Sequence, residues 1–181
     1  MTIPLEIIDL SKTYDSKEAV RNISFKVNEN EIIGILGPNG CGKTTTIGMI
    51  LGLLKPTKGK VLINGIEIEK QRVELLNELN FISPYIELPK KLTVKQNLEV
   101  YGRLYDVKKL GIKIDYLCEK LRLNEFINKI TGELSSGQKN RVSLAKSIIN
   151  DPSVLLLDEP TASLDPETGD FVRSFLEEYQ K

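Results

Sequence analysis

A chain of 181 residues is the length of one domain and long enough to bury a core. Lys and Arg total 25 and Asp and Glu total 25, so a formal net charge of 0 offers no electrostatic case for nucleic acid as a partner. No apolar run approaches the roughly 20 residues of a membrane helix, the N-terminal MTIPLEIIDL has no signal-peptide pattern, and two cysteines in unrelated contexts, Cys41 and Cys118, suggest a reducing cytoplasm and no disulfide.

The first third reads as strands. Residues 6–10 and 23–27 mix branched apolar and polar side chains in short runs. Residues 31–36 (EIIGIL) are more continuously apolar, which predicts a strand buried on both faces. A Gly-rich segment follows, then a helix whose Ile47, Ile50, Leu51 and Leu54 fall on one face, ended by Lys55-Pro56-Thr57. Residues 60–64 form another strand, and Asn64-Gly65 is a hairpin turn signal. From 83 to 150 the pattern is helical, clearest at 93–105 and 113–121, and Asp151-Pro152 closes the last helix. A second apolar strand, 154–157 (VLLL), precedes a final helix starting near Pro166. The order predicts one α/β core, about 1–82 and 151–181, with an inserted helical subdomain at about 83–150.

Gly37-Pro38-Asn39-Gly40-Cys41-Gly42-Lys43-Thr44 fits G-x-x-x-x-G-K-[ST] between the predicted strand and the predicted helix, as that motif requires. Its glycines let the backbone turn tightly and aim consecutive N–H groups inward, and the helix start adds a positive dipole end. Lys43 supplies a point charge for the β- and γ-phosphates of a nucleotide, and the Thr44 hydroxyl is placed for Mg²⁺. The expected ATP-binding residues are thus Gly37, Pro38, Asn39, Gly40, Cys41, Gly42, Lys43, Thr44 and Thr45. Downstream, Asp158 and Glu159 sit at the end of the second apolar strand, where ligands of open α/β sheets bind. Asp158 is the candidate Mg²⁺ ligand, and Glu159 the candidate base for an attacking water.

Between these sites, Leu134-Ser135-Ser136-Gly137-Gln138 closely resembles the LSGGQ signature of ABC ATPases. Ser163-Leu164-Asp165 is similar to that family's D-loop, and Tyr14 occupies the place of its adenine-stacking aromatic. The resemblance runs from about residue 5 to residue 181. It implies a P-loop ATPase fold with an ABC-type core, a mixed sheet plus an N-terminal antiparallel β part, and the helical insert. It implies that two nucleotide-binding domains, in a homo- or heterodimer, pair head to tail. Ser135, Gly137 and Gln138 of one would then face the ATP on its partner. The helical subdomain would dock on a membrane-spanning permease, placing the chain peripherally on the inner face of the cell membrane. Residues 92–105 resemble the ATPase subunits of ABC-2-type exporters.

Three departures qualify the resemblance. Ser136 replaces the first glycine of the signature. Tyr85 stands where the family has a Gln that ligates Mg²⁺. The family's switch histidine is absent, since the chain contains no His. The strand that carries it would follow the last helix, so the chain is expected to lack the family's C-terminal portion. Without that strand the two apolar strands would have unpaired inner edges, and the chain alone would be marginal. The leading expectation is an ATP-hydrolysing subunit that energises a transporter. A hydrolysis-defective nucleotide-binding module and a non-transport ABC ATPase are the alternatives.

Overall fold

The computed structural model describes residues 3–83, 87–161 and 164–180. Two compact units divide the chain between Leu79 and Asn80.

The first unit is built on an antiparallel sheet. β1 (Leu5–Tyr14) and β2 (Lys17–Val27) form a hairpin that turns at Asp15, with φ of 49°. Both strands are longer than the sequence suggests, because register shifts near Ile7 and Leu10 carry the pairing past the polar residues. β3 (Lys58–Ile63) pairs with the other edge of β1, and Asn64-Gly65 turns it into β4 (Ile66–Glu67), giving the order β2-β1-β3-β4. Asn64 and Gly65 have φ of 50° and 78°, the positive values that the hairpin signal predicts. Alternate residues Leu5, Ile7, Val61 and Ile63 point into the core.

α1 (Lys43–Ile50) ends earlier than expected. Its stop is a Schellman motif: Leu53 N–H donates to Gly48 O (2.9 Å), Gly52 N–H donates to Met49 O (3.0 Å), and Gly52 has φ of 63°. Leu53 and Leu54 are therefore loop residues, and the buried side of the helix is Thr46, Met49 and Ile50. A one-turn helix, α2 (Arg72–Leu75), has no signal in the sequence beyond its buried Leu75.

The expected strand at 31–36 is not there. The segment has no ladder partner among the described residues, and its apolar side chains face outward, with Leu36 94% and Ile32 60% exposed. A strand exists only where a neighbour completes its hydrogen bonds, so apolar content alone does not make one.

The second unit gathers β5 (Leu79–Ile82), α3 (Val94–Leu104), α4 (Leu110–Lys120), α5 (Ser136–Ser147), β6 (Val154–Leu157) and α6 (Pro166–Tyr179). β5 and β6 form a two-stranded sheet. Thr93 starts α3 with a capping box: its hydroxyl accepts from Gln96 N–H (3.2 Å), and Gln96 Oε1 accepts from Thr93 N–H (2.9 Å). Leu98, Leu117, Leu121, Phe126, Val142 and Val172 form one buried cluster, so α6 packs into the same core as the helical segment. Asn80 on β5 is fully used. Its amide donates to Ser147 O and Asn150 Oδ1 (2.6 Å each), and its oxygen accepts from the Tyr105 hydroxyl (2.9 Å). Burial raises the Tyr105 pKa.

Candidate functional site

The expected site residues fall in both units. In the first, Gly37 to Cys41 form an exposed loop that leads through the half-buried Gly42 into α1. Cys41 N–H donates to Pro38 O at 3.3 Å, which closes the turn. Gly42 is the N-cap of α1 with φ of 99°, and a Cβ there would lie 2.4 Å from the Ala19 carbonyl oxygen on β2. Only glycine combines that dihedral with that approach. Lys43 folds back over the loop, and its Nζ donates to Gly37 O at 2.6 Å and Pro38 O at 3.0 Å. The ammonium therefore sits at the loop's mouth, held by two carbonyl dipoles. Thr44 is exposed and Thr45 half-buried in the first turn of α1, while Asn39 and Gly40 are exposed beside them. Cys41 is exposed, and its Sγ packs over Gly37, where an added Cβ would meet it at 2.5 Å.

Loop backbone amides, a helix N-terminus and an ammonium group at one loop mouth are the kinds of donor that can receive a polyanionic tail. At the end of β1, Tyr14 is 44% exposed, and the Nζ of Lys12 lies 5.2 Å from its ring centroid.

In the second unit, β6 delivers Asp158 and Glu159. Asp158 N–H donates to Ile82 O at 2.9 Å, which extends the β5–β6 pairing by one residue and fixes the carboxylate at the strand end. The Ser83 hydroxyl donates to Asp158 Oδ2 at 3.4 Å. Glu159 is exposed with φ of 49°, a sparsely populated conformation for a non-glycine residue. Both acids line a cleft of about 320 Å³ with Ser83, Ser136, Asn140 and Leu164.

The signature segment lies at the start of α5. Ser135 is the N-cap: its hydroxyl accepts from Gln138 N–H (3.2 Å), and Gln138 Oε1 accepts from Ser135 N–H (3.0 Å). The Ser135 hydroxyl keeps its own proton for an outside acceptor, and the first-turn N–H groups of Ser136 and Gly137 have no acceptor within the helix. The Gln138 oxygen, expected to face nucleotide, is committed to this capping box. Ser136, in place of glycine, is an ordinary first helical residue and strains nothing.

Three contacts escaped the sequence reading. Asn140 Nδ2 donates to Pro160 O at 2.8 Å, tying α5 to the turn after Glu159. Ser83 reaches Asp158 because it follows the strand paired with β6. Asp165 caps α6: its carboxylate accepts from Thr168 N–H (2.9 Å) and from the Thr168 hydroxyl (2.7 Å), and those bonds hold its pKa down. Tyr85 and Ser163 lie outside the described residues.

Each unit carries an oxygen donor of a kind suited to a hard cation. The Thr44 hydroxyl and Asp158 carboxylate are oxygen donors of the kind Mg²⁺ takes.

The family described as "ABC transporter" matches residues 20–162. The chain is 38% identical over 164 residues to Nod factor export ATP-binding protein I of Rhizobium etli, covering 90% of this chain and 52% of that protein. It is 32% identical over 184 residues to ABC transporter ATP-binding protein NatA of Bacillus subtilis, covering 98% and 75%. A solved ATP-binding cassette, described as a dimeric post-hydrolysis state bound to ADP and Pi, superposes with a TM-score of 0.85 at 26% identity, covering 98% and 83%. The chain thus spans about half the length of the first of these relatives. No helix among the described residues is long and apolar enough to cross a membrane.

Proposed function

This chain belongs to the ABC transporter ATP-binding family, and from that premise we propose that it binds and hydrolyses ATP to energise an exporter. The observation that carries this reading is the loop at Gly37–Gly42, whose turn, helix start and Lys43 ammonium together form a cradle for a polyphosphate.

Each residue then has a task. Backbone N–H groups of the loop bind the phosphates, and Lys43 exchanges its two carbonyl acceptors for phosphate oxygens. Tyr14 stacks on adenine. Glu159 accepts the proton of the water that attacks the γ-phosphorus; the bond to the β,γ-bridging oxygen breaks, and ADP leaves with the electron pair. The position of Glu159 in the lining of the open cleft, one residue beyond Asp158, supports this role. Thr44 and Asp158 are the side chains that would hold Mg²⁺, which when bound neutralises charge on the phosphates. The Ser135 hydroxyl and the Gly137 N–H, at the α5 N-terminus, face a γ-phosphate bound to a second copy or a related chain. The dimeric cassette with ADP and Pi supports that pairing.

A membrane-spanning permease is the proposed partner, docked on the helical segment at the inner face of the membrane; the relatives named for export support it. The Tyr at position 85 favours one other reading, a nucleotide-binding module without turnover. Steady-state ATP turnover separates the two. The proposal expects magnesium-dependent phosphate release that falls about 100-fold or more in Glu159→Gln. Equal rates in both proteins would reject Glu159 as the base, and no release from either would favour the module without turnover.

A further inference from the structure

Lys12 has no place in the nucleotide chemistry proposed so far, yet it is held as carefully as a site residue. Lys12 and Tyr14 are two apart on β1 and so project from one face of the strand. The Lys12 Nζ lies 5.2 Å from the Tyr14 ring centroid, within cation–π range, and donates to Lys55 O at 2.7 Å. The same end of β1 is pinned twice more to the segment after α1: Thr13 N–H donates to Thr57 Oγ1 (3.0 Å), and Thr57 N–H donates to Ser11 O (2.8 Å). The ammonium is therefore placed by backbone and not by a carboxylate. Tyr14 stays 44% exposed, so the ring is backed on one side and open on another.

We propose that Lys12 is a positioning residue for base recognition, which fixes the Tyr14 ring and prepares its free face to stack on an electron-rich purine. The inference rests on the reading of Tyr14 as the adenine-stacking residue and adds the group that makes the ring a platform. Two physical effects contribute. The cation–π contact restricts the ring's rotamers, so less freedom is lost when a base arrives. The ammonium also draws the ring's π density toward itself, which weakens the repulsion between two π faces on the opposite side. Both effects act through the base alone. A ligand that carries phosphates but no base gains nothing from them.

The test is equilibrium binding of Mg-ATP and of inorganic triphosphate to the full chain, in the parent protein and in Lys12→Met, Lys12→Arg, Tyr14→Ala and the Lys12→Met/Tyr14→Ala double variant. The expected result is an ATP affinity lowered about two- to fivefold in Lys12→Met and largely restored in Lys12→Arg. Triphosphate affinity stays at the parent level, and Lys12→Met has no further effect once Tyr14 is Ala. An equal loss for ATP and triphosphate would overturn the inference, because Lys12 would then act as a charge on the phosphates. Unchanged ATP affinity in Lys12→Met beside a clear loss in Tyr14→Ala would overturn it and leave the stacking role of Tyr14 intact. Unchanged ATP affinity in Tyr14→Ala would remove the reading on which it rests.

Discussion

At the residue scale, Gly42 carries more constraint than its neighbours. Its positive φ and its approach to Ala19 both exclude a side chain. Gly42→Ala is expected to lower stability by about 1–3 kcal/mol and to weaken ATP binding at the same time, because the shift needed to admit the methyl group moves the loop. Paired thermal and binding measurements check this; a loss of one without the other would contradict it. Cys41 offers a probe of the same loop. Its exposed sulfur packs over Gly37 beside the proposed phosphate positions, so Mg-ATP should slow its labelling by a thiol reagent. Equal labelling rates with and without Mg-ATP would refute that expectation. These residues were legible in the sequence because the motif fixes both identity and spacing. Ser83 and Asn140 were not, since their contacts depend on strand pairing and helix placement rather than on any local pattern.

At the scale of elements, the clearest successes are those with local punctuation. Asn64-Gly65 announces its hairpin, and Pro166 announces α6, whose preceding Asp165 completes the cap. The Thr93 and Ser135 capping boxes, which the sequence reading did not name, share an S/T-x-x-Q pattern. The failures are elements decided by tertiary context. Residues 31–36 carry strand composition but no ladder, and α1 stops at a Gly52 that its apolar periodicity runs straight through.

Asp165 makes a pH prediction at this scale. Hydrogen bonds from Thr168 depress its pKa below 3.8, so its contribution to α6 is complete above that value. The contribution is lost as pH falls from there through the depressed value, because the unfolded chain takes up the proton first. Asp165→Asn keeps a capping oxygen without the charge. It should flatten the dependence of the melting temperature on pH in that window, and an unchanged acid slope would argue against the cap. Tyr179 gives the opposite limb. Burial, chiefly, pushes its pKa up to about 12. Its contribution is complete below 10 and is lost as pH rises toward 12, and Tyr179→Phe should remove that loss.

At the scale of the whole molecule, the exposed apolar run at 31–36 sets the energetics. Ile32, Ile33, Ile35 and Leu36 are each at least 39% exposed, so they contribute little of the about 1.5–3 kcal/mol that a fully buried side chain of this kind supplies. Against a typical domain stability of about 5–15 kcal/mol, a shortfall of that size is expected to leave this chain by itself marginal. It is expected to melt below about 50 °C, at the low end of the usual range. Calorimetry that found a sharp cooperative transition well above that temperature would show that burial elsewhere compensates.

The claim on which all scales converge is that the Gly37–Gly42 loop and Lys43 hold a nucleotide's phosphates. Its most direct test is equilibrium binding of ATP to the full chain, with and without Mg²⁺, beside the same measurement on Lys43→Ala. The account predicts magnesium-dependent binding that weakens about 10- to 100-fold when the ammonium is removed, as expected for the loss of charge-assisted hydrogen bonds. Binding that ignores both the metal and the substitution, or no binding by the parent chain, would contradict it.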